Sequence, residues 1–299
     1  MAAASGEVVA FLGLGQMGRP MARLLRNAGY RLQAFDVSPQ SRALYEADGG
    51  ATVGSEAEAC RGAALVITML PNGGIVQDAL IKSGAVKGVA SGALVIEMSS
   101  SAPMQTRRLG EILGDQGVAL IDAPVSGGVA RATTGKLAIM VGGAVENLER
   151  ARPLLQCMAQ SILRVGPLGA GHAMKALNNY VSAAGLVAAC EAVIVGRAFG
   201  LDPETIVDTL NASTGRNNST ETKMKPFVLS GSFGSGFAAA LMAKDVATAL
   251  DLAKSVGIDA DGIAAAAALW REASGAMKPG ADHTAIFEFL SEREGKKGE

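Results

Sequence analysis

The sequence predicts an α/β fold, a doubly wound parallel sheet, followed by an all-α domain entered through one long helix. Three observations carry that prediction. Short apolar runs alternate with helical stretches over the first half, glycines close several of those runs, and after Gly166-Pro167-Leu168-Gly169 the chain turns helical throughout. Val8–Leu12 is a strand-length run ending in glycines. A helix over Arg19–Asn27 follows, stopped by Gly29, and a second strand, Arg31–Phe35, closes on Asp36 with Ser38 able to cap the next helix. Leu65–Leu70, Leu94–Met98, Ala119–Asp122, Leu137–Val141 and Ile162–Val165 continue the strand series. Strands alternating with helices require crossover connections and hence a mostly parallel sheet covered on both faces.

From Ala170 to Phe199 the composition is Ala, Leu, Val and Met without proline, which predicts one helix of about 45 Å. Helical stretches over Pro203–Asn211, Ala238–Val256 and Gly262–Ser274 follow, interrupted by a polar loop, Ser213 to Thr220. The boundary is therefore expected near residue 165, giving domains 1–165 and 166–299, with a charged, frayed tail over Ser291–Glu299.

Composition narrows the classes of function. Hydrophobic residues make up 49% and charged residues 18%, the reverse of a disordered chain. The net charge of −1 offers no basic field for nucleic acid or an anionic membrane. Uninterrupted apolar runs such as Ala63–Leu70 are far short of a span, and the first seven residues lack the basic flank and apolar core of a signal peptide. Cys60, Cys157 and Cys190 are scattered, and His172 and His283 are the only histidines. That pattern fits reduced thiols in the cytoplasm and no metal site. Trp270 is expected to pack inside the helical domain.

The glycines carry the first functional signal. Phe11-Leu-Gly13-Leu14-Gly15-Gln16-Met17-Gly18 is a G-x-G-x-x-G between a strand and a helix. Gly13 turns the chain, Gly15 leaves room for a pyrophosphate, and Gly18 lets helix and strand approach. The helix N-terminus then offers free N–H groups to phosphates. Asp36 lies 18 residues beyond Gly18, at the end of the second strand, where a carboxylate accepts from a ribose and repels a 2′-phosphate. NAD is therefore favoured over NADP; Val37, Ser38 and Pro39 offer nothing to a phosphate, and Arg42 is the nearest cation.

At this point the chain resembles the β-hydroxyacid dehydrogenases, the family of 3-hydroxyisobutyrate dehydrogenase and tartronate semialdehyde reductase. The glycine segment Gly13–Ala22 matches the family's opening, and three more blocks follow in order. Asp122-Ala-Pro-Val-Ser-Gly-Gly128 with Gly135–Gly143 is similar to its substrate-binding segment. Gly171-His-Ala-Met-Lys175-Ala-Leu-Asn-Asn179 resembles its catalytic helix, and Phe237–Asp245 its C-terminal cofactor-closing segment. The resemblance covers roughly residues 8 to 290. It implies a Rossmann-type domain, Lys175 as the catalytic lysine, and Asn179 positioning the substrate. It further implies Ser126, Gly127 and Gly128 on the substrate carboxylate, Leu70, Pro71 and Ser100 beside the cofactor, and Lys244 at the nicotinamide end. Homodimers or homotetramers are expected on the same ground.

The residues themselves agree on the central point. Lys175 and Asn179 are i and i+4, on one helix face just past the domain boundary, where a cleft would form. Hydride transfer from an alcohol needs a base for the hydroxyl proton, and the reverse needs an acid. A lysine serves both if burial or nearby positive charge lowers its pKa. Successive glycines at Ser126-Gly127-Gly128 let backbone N–H groups converge on a carboxylate. Read alone, that segment is equally a tight loop, and Lys244 a surface lysine.

The departures are informative. Where 3-hydroxyisobutyrate dehydrogenases are expected to place an aromatic residue, this chain has Asn217-Asn218, pointing to a more polar or longer substrate. Asn178 stands where 6-phosphogluconate dehydrogenases carry a histidine. Asp36-Val37 replace the asparagine–arginine pair of NADP-dependent glyoxylate reductases, and Lys175 is absent from imine reductases. The rival expectation is a non-catalytic dinucleotide-binding protein on the same fold. A pure binder, however, has no need of an acid–base lysine.

Overall fold

A computed structural model of the chain describes residues 7–295. Met1–Gly6, most of the segment expected to lack a signal peptide, and residues 296–299 of the expected tail lie outside the described residues. The tail from Ser291 is helical as far as Gly295, within a helix Ile286–Gly295.

Eight strands form one sheet: β1 Val8–Leu12, β2 Arg31–Phe35, β3 Leu65–Thr68, β4 Leu94–Glu97, β5 Ala119–Asp122, β6 Val125–Ser126, β7 Leu137–Gly142 and β8 Ala159–Gly166. Their order is β2-β1-β3-β4-β5-β7-β6, with β8 on β7. β2, β1, β3, β4 and β5 run parallel, β7 is antiparallel to β5 and β6, and β8 is parallel to β7. β3 and β4 are buried along their whole length, as expected for parallel strands covered on both faces. Alternate residues feed opposite faces: Val9 and Phe11 join one buried cluster, Ala10 and Leu12 the other. The chain leaves β1 in opposite directions toward β2 and toward β3, so their carboxyl ends frame a switch point, the usual ligand position in such sheets.

The chain divides into two compact units, Met1–Lys175 and Ala176–Glu299. The helix Ala170–Phe199 begins in the first and continues into the second. In the second unit, Ala183, Leu186, Ala189, Cys190 and Val193 recur at three- and four-residue spacing and join a cluster built on the fully buried Trp270. Among the described residues this is the helix long and apolar enough, by length and composition, to cross a membrane. Counting uninterrupted apolar runs passes over it, because Lys175, Asn178, Asn179, Ser182, Glu191 and Arg197 break the run. Its buried stripe is that of a core helix. A second apolar stripe, Leu177, Val181, Val195 and Phe199, is exposed in the single chain.

Two local differences from the sequence expectation matter later. The polar loop is shorter than expected, because Asn218–Thr222 is helical and capped by Asn217. A wide helical turn, Met224–Leu229, then follows through Lys223.

Candidate active site

The glycine turn after β1 is built as its spacing requires. Gly13 has φ +103°, and a Cβ there would meet the Met69 carbonyl oxygen. A Cβ on Gly18 would strike the Gly13 carbonyl oxygen, so the helix Gly18–Asn27 lies hard against the turn. Above Gly15 there is open space within 4 Å. Those are the turn, the close packing and the cradle that a pyrophosphate needs, so the residues present fit a dinucleotide. Gly15 and Gln16 are exposed while Leu14 is buried. The Asp36 carboxylate accepts from Leu14 N–H at 2.7 Å and Ser38 N–H at 2.8 Å, leaving acceptor capacity on both oxygens. Arg42 is closer than its sequence distance suggests. Its Nη1 donates to the Asp36 carbonyl at 2.6 Å, and its guanidinium lies 5.6 Å over the Phe35 ring.

The carboxyl ends of the next strands carry a polar row. Thr68, Glu97 and Asp122 are register partners across β3, β4 and β5, all buried. His172, in the first turn of the long helix, completes the row. Its Nε2 bonds to the Ser99 carbonyl at 3.0 Å and its Nδ1 to Thr106 Oγ1 at 2.8 Å. Thr106 Oγ1 in turn donates to the Ala102 carbonyl. The Ser99 carbonyl only accepts, so Nε2 carries hydrogen, while Nδ1 and the Thr106 hydroxyl share one bond whose direction follows the charge of the ring. The ring has Glu97 Oε2 at 2.9 Å and Asp122 Oδ2 at 3.5 Å, two carboxylates that favour its protonated form. Glu97 Oε2 faces only the ring, while Glu97 Oε1 accepts from Ser99 N–H at 2.9 Å.

Burial pushes Glu97 upward, but the charge and hydrogen bond of His172 and the bonds from Ser99 outweigh it and hold the carboxyl below its usual range. Burial pulls His172 down, and the charge and hydrogen bond of Glu97, with Asp122 and the Ser99 carbonyl, raise it above the ordinary histidine value. Asp122 also caps the helix from a distance: Gly169 N–H and His172 N–H each donate to its oxygens at 2.7 Å. Gly171 fits beneath because a Cβ there would meet the Met140 carbonyl oxygen. Lys175, partly buried, follows one residue short of a turn later.

The cofactor-side residues inferred from the family fall on the same sheet edge. Leu70 N–H donates to Ser99 Oγ at 2.9 Å, and Leu70 Cδ2 lies 3.0 Å from a Cβ built on Gly13. Pro71 is exposed, and Ser100 follows Ser99 directly. Ser126 ends β6 opposite Ala138. Gly127 and Gly128 have φ +131° and +66° and are exposed, a conformation that suits only glycine.

Asn179, Lys244 and Asp245 gather in the second unit. The Asn179 amide donates to Asp245 Oδ2 at 2.6 Å, and Asp245 Oδ1 lies 3.5 Å from Lys244 Nζ. The loop asparagines behave differently from each other. Asn217 Oδ1 accepts from Ser219 and Thr220 N–H, and its Nδ2 donates to the Gly215 carbonyl. Its side chain is thus engaged in a capping box rather than offered to a ligand. Asn218 is exposed.

Residue spacing missed His172, Glu97, Asp122, Asp245 and Lys223. The available signal was an acidic residue at the carboxyl end of each of two buried strands, where a charge is retained only with a partner. His283 is also engaged: Ser235, Phe237 and Asp282 surround its Nδ1. Burial pushes the Cys60 and Cys190 thiols up to about 12, which removes them as nucleophiles at neutral pH.

Comparison with known proteins gives the family. Residues 8–166 match the NAD binding domain of 6-phosphogluconate dehydrogenase, and residues 169–290 the NAD-binding domain of NADP-dependent 3-hydroxyisobutyrate dehydrogenase. The 2-(hydroxymethyl)glutarate dehydrogenase of Eubacterium barkeri is 35% identical over 82% of this chain and 82% of its own. The NAD-dependent L-serine dehydrogenase of Pseudomonas aeruginosa is 38% identical over 83% and 85%. A solved Mycobacterium tuberculosis 3-hydroxyisobutyrate dehydrogenase with L-serine superposes with a TM-score of 0.89 at 33% identity, covering 95% of this chain and 99% of that one. Likeness of this depth along nearly the whole chain makes it a member of the β-hydroxyacid dehydrogenase family.

Proposed function

We propose that the chain is an NAD-dependent dehydrogenase of a small 3-hydroxy acid, or the reductase of its semialdehyde. The observation that carries this reading is the pair Lys175 and Asn179, one turn apart on one helix, with the Asn179 amide fixed by Asp245. Family membership and the relatives' activities support the same reaction class.

In this reading residues 1–165 are the dinucleotide domain, with Gly13, Leu14, Gly15, Gln16, Met17 and Gly18 holding the pyrophosphate and Asp36 the ribose. Leu70, Pro71, Ser100 and Lys244 line the cofactor. Residues 166–299 are the substrate and oligomerisation domain. Bound cofactor supplies the hydride acceptor. Lys175 takes the alcohol proton during oxidation and returns it during reduction, so the oxidised product is a carbonyl compound and one proton is released. Asn179 holds the reacting oxygen in place, and backbone N–H groups of Ser126-Gly127-Gly128 hold the substrate carboxylate. NAD is favoured because a 2′-phosphate would meet the Asp36 carboxylate, although Arg42 stands near enough to matter. Asp36→Ala should therefore shift preference toward NADP by about tenfold, read from the two dissociation constants. The exposed stripe Leu177, Val181, Val195 and Phe199 supports a homodimer or homotetramer. The reduced cysteines favour a cytoplasmic setting.

The test is NADH formation with 3-hydroxyisobutyrate, glycerate, threonate and serine. Lys175→Ala should lose about 10²- to 10⁴-fold in kcat while NAD binding persists. Tight NAD binding without turnover of any acid would move the protein to a non-catalytic binding role.

A further inference from the structure

We infer that Lys223 is a specificity-determining residue that receives a second anionic group on the hydroxy acid, remote from the reacting carbon. The inference rests on the dehydrogenase reading above and narrows its substrate class. Lys223 joins the capped helix Asn218–Thr222 to the turn Met224–Leu229. Its Nζ donates to Ser182 Oγ at 3.3 Å. Ser182 follows Asn179 by three residues and Lys175 by seven, spacings that stack all three on one face of the long helix. The same loop rests on the next turn of that face, where Asn217 lies 3.4 Å from a Cβ built on Gly185. The ammonium therefore stands beside the face that carries the proposed acid–base pair, displaced from Lys175 by about 10 Å along the helix axis.

Its surroundings are those of a cation awaiting a partner. The side chain is partly buried, and burial pulls the amine below its usual value, with Asp282 the acidic group that opposes this. Among the described residues no carboxylate lies within ion-pair distance of its ammonium, whose hydrogen bond goes to the Ser182 hydroxyl. Lys225, two residues on, instead holds Asp208 at 2.6 Å. An ammonium offers three donors, and a withdrawn cation whose nearest acidic group, Asp282, stands beyond ion-pair distance is costly. A carboxylate or sulfonate arriving on the substrate would supply both the charge and the acceptors. Asn217 cannot take this role, since its side chain closes the capping box. The axial displacement, shortened by the reach of two lysine side chains, suits an acid of about four to six carbons.

The experiment compares wild type, Lys223→Met and Lys223→Arg on three substrates. 2-(Hydroxymethyl)glutarate carries a second carboxylate, its analogue 2-(hydroxymethyl)-4-sulfobutanoate carries a sulfonate in that place, and 3-hydroxyisobutyrate carries no second anion. Wild type should prefer at least one anion-bearing substrate. Lys223→Met should lose about 30-fold in kcat/KM on it, mostly through KM, and at least tenfold more than it loses on 3-hydroxyisobutyrate. Lys223→Arg should recover most of that difference. Whichever acid shows the split identifies carboxylate or sulfonate as the group received. Equal losses on all substrates, or no preference for a second anion in wild type, would overturn the inference alone. Wild type idle on every acid would overturn the dehydrogenase reading and this inference with it.

Discussion

At its first turn the long helix is gripped by charged groups: a buried histidine lies between two carboxylates, and one of them, Asp122, also caps the helix through two backbone bonds. Two turns later, at Asn179, the same helix is held by one amide-to-carboxylate bond of 2.6 Å. The two regions bracket Lys175. The first is deeply buried, so a charge left there without a partner is costly. The second combines a neutral side chain with an anion that also faces Lys244. Ionic contacts fix the start of the helix strongly but make it sensitive to pH, whereas an amide fixes orientation without itself titrating.

Breaking the ionic region should give the largest effect. His172→Gln leaves Glu97 and Asp122 facing each other without the cation, and the expected loss is about 3–5 kcal/mol of stability, measured by urea unfolding near pH 6. The same cluster has a definite pH signature. His172 is raised, so its contribution is complete below about pH 6.5 and fades as pH climbs through its folded-state value. Glu97 is lowered, so its contribution is complete above about pH 4.3 and fades as pH falls through its folded-state value. Wild type should therefore lose urea resistance as pH climbs above about 6.5, and His172→Gln should flatten that slope. An unchanged slope would mean that the histidine is neutral in the fold.

The amide region should respond less in stability and more in catalysis. Asp245→Ala frees the Asn179 amide, with an expected cost of about 1–2 kcal/mol in stability and about tenfold in kcat/KM. If kcat/KM stayed at the wild-type value, the orientation of Asn179 would not matter to turnover. The smallest effect sharpens the contrast from outside both regions. Asn217→Ala removes a cap and should cost about 1 kcal/mol, with cofactor affinity untouched. A change in substrate preference beyond that would return Asn217 to the binding surface.

These regions also show what a sequence can display. The glycine turn, the strand run Val8–Leu12 and the helix Ala170–Phe199 are local, written in spacings of a few residues. Lys175 and Asn179 share that legibility, because four residues on a helix fix a common face. The ionic cluster does not: His172 meets Glu97 and Asp122 from 75 and 50 residues away, a meeting set by strand register. Asn217 was read as a ligand-facing residue, although Asn217 and Thr220 at cap spacing already contain the alternative. Lys223 is invisible for a further reason: a lysine's value here lies in its partial burial and the lack of a close ion pair, which composition does not record.

The continuous helix has one last consequence, for which sequence changes the lineage can accept. His172, Lys175, Asn179, Ser182 and Gly185 are positions on a single rotating shaft, each advancing by about 100° per residue. Deleting or inserting one residue among them would throw every later position out of phase with every earlier one. No loop lies between them to absorb the error. Between Asp122 and Gly169, by contrast, length can drift, because the contact is made by the fold rather than by counting. Over those fourteen positions a substitution is felt at one place, whereas a change of length is felt at all of them.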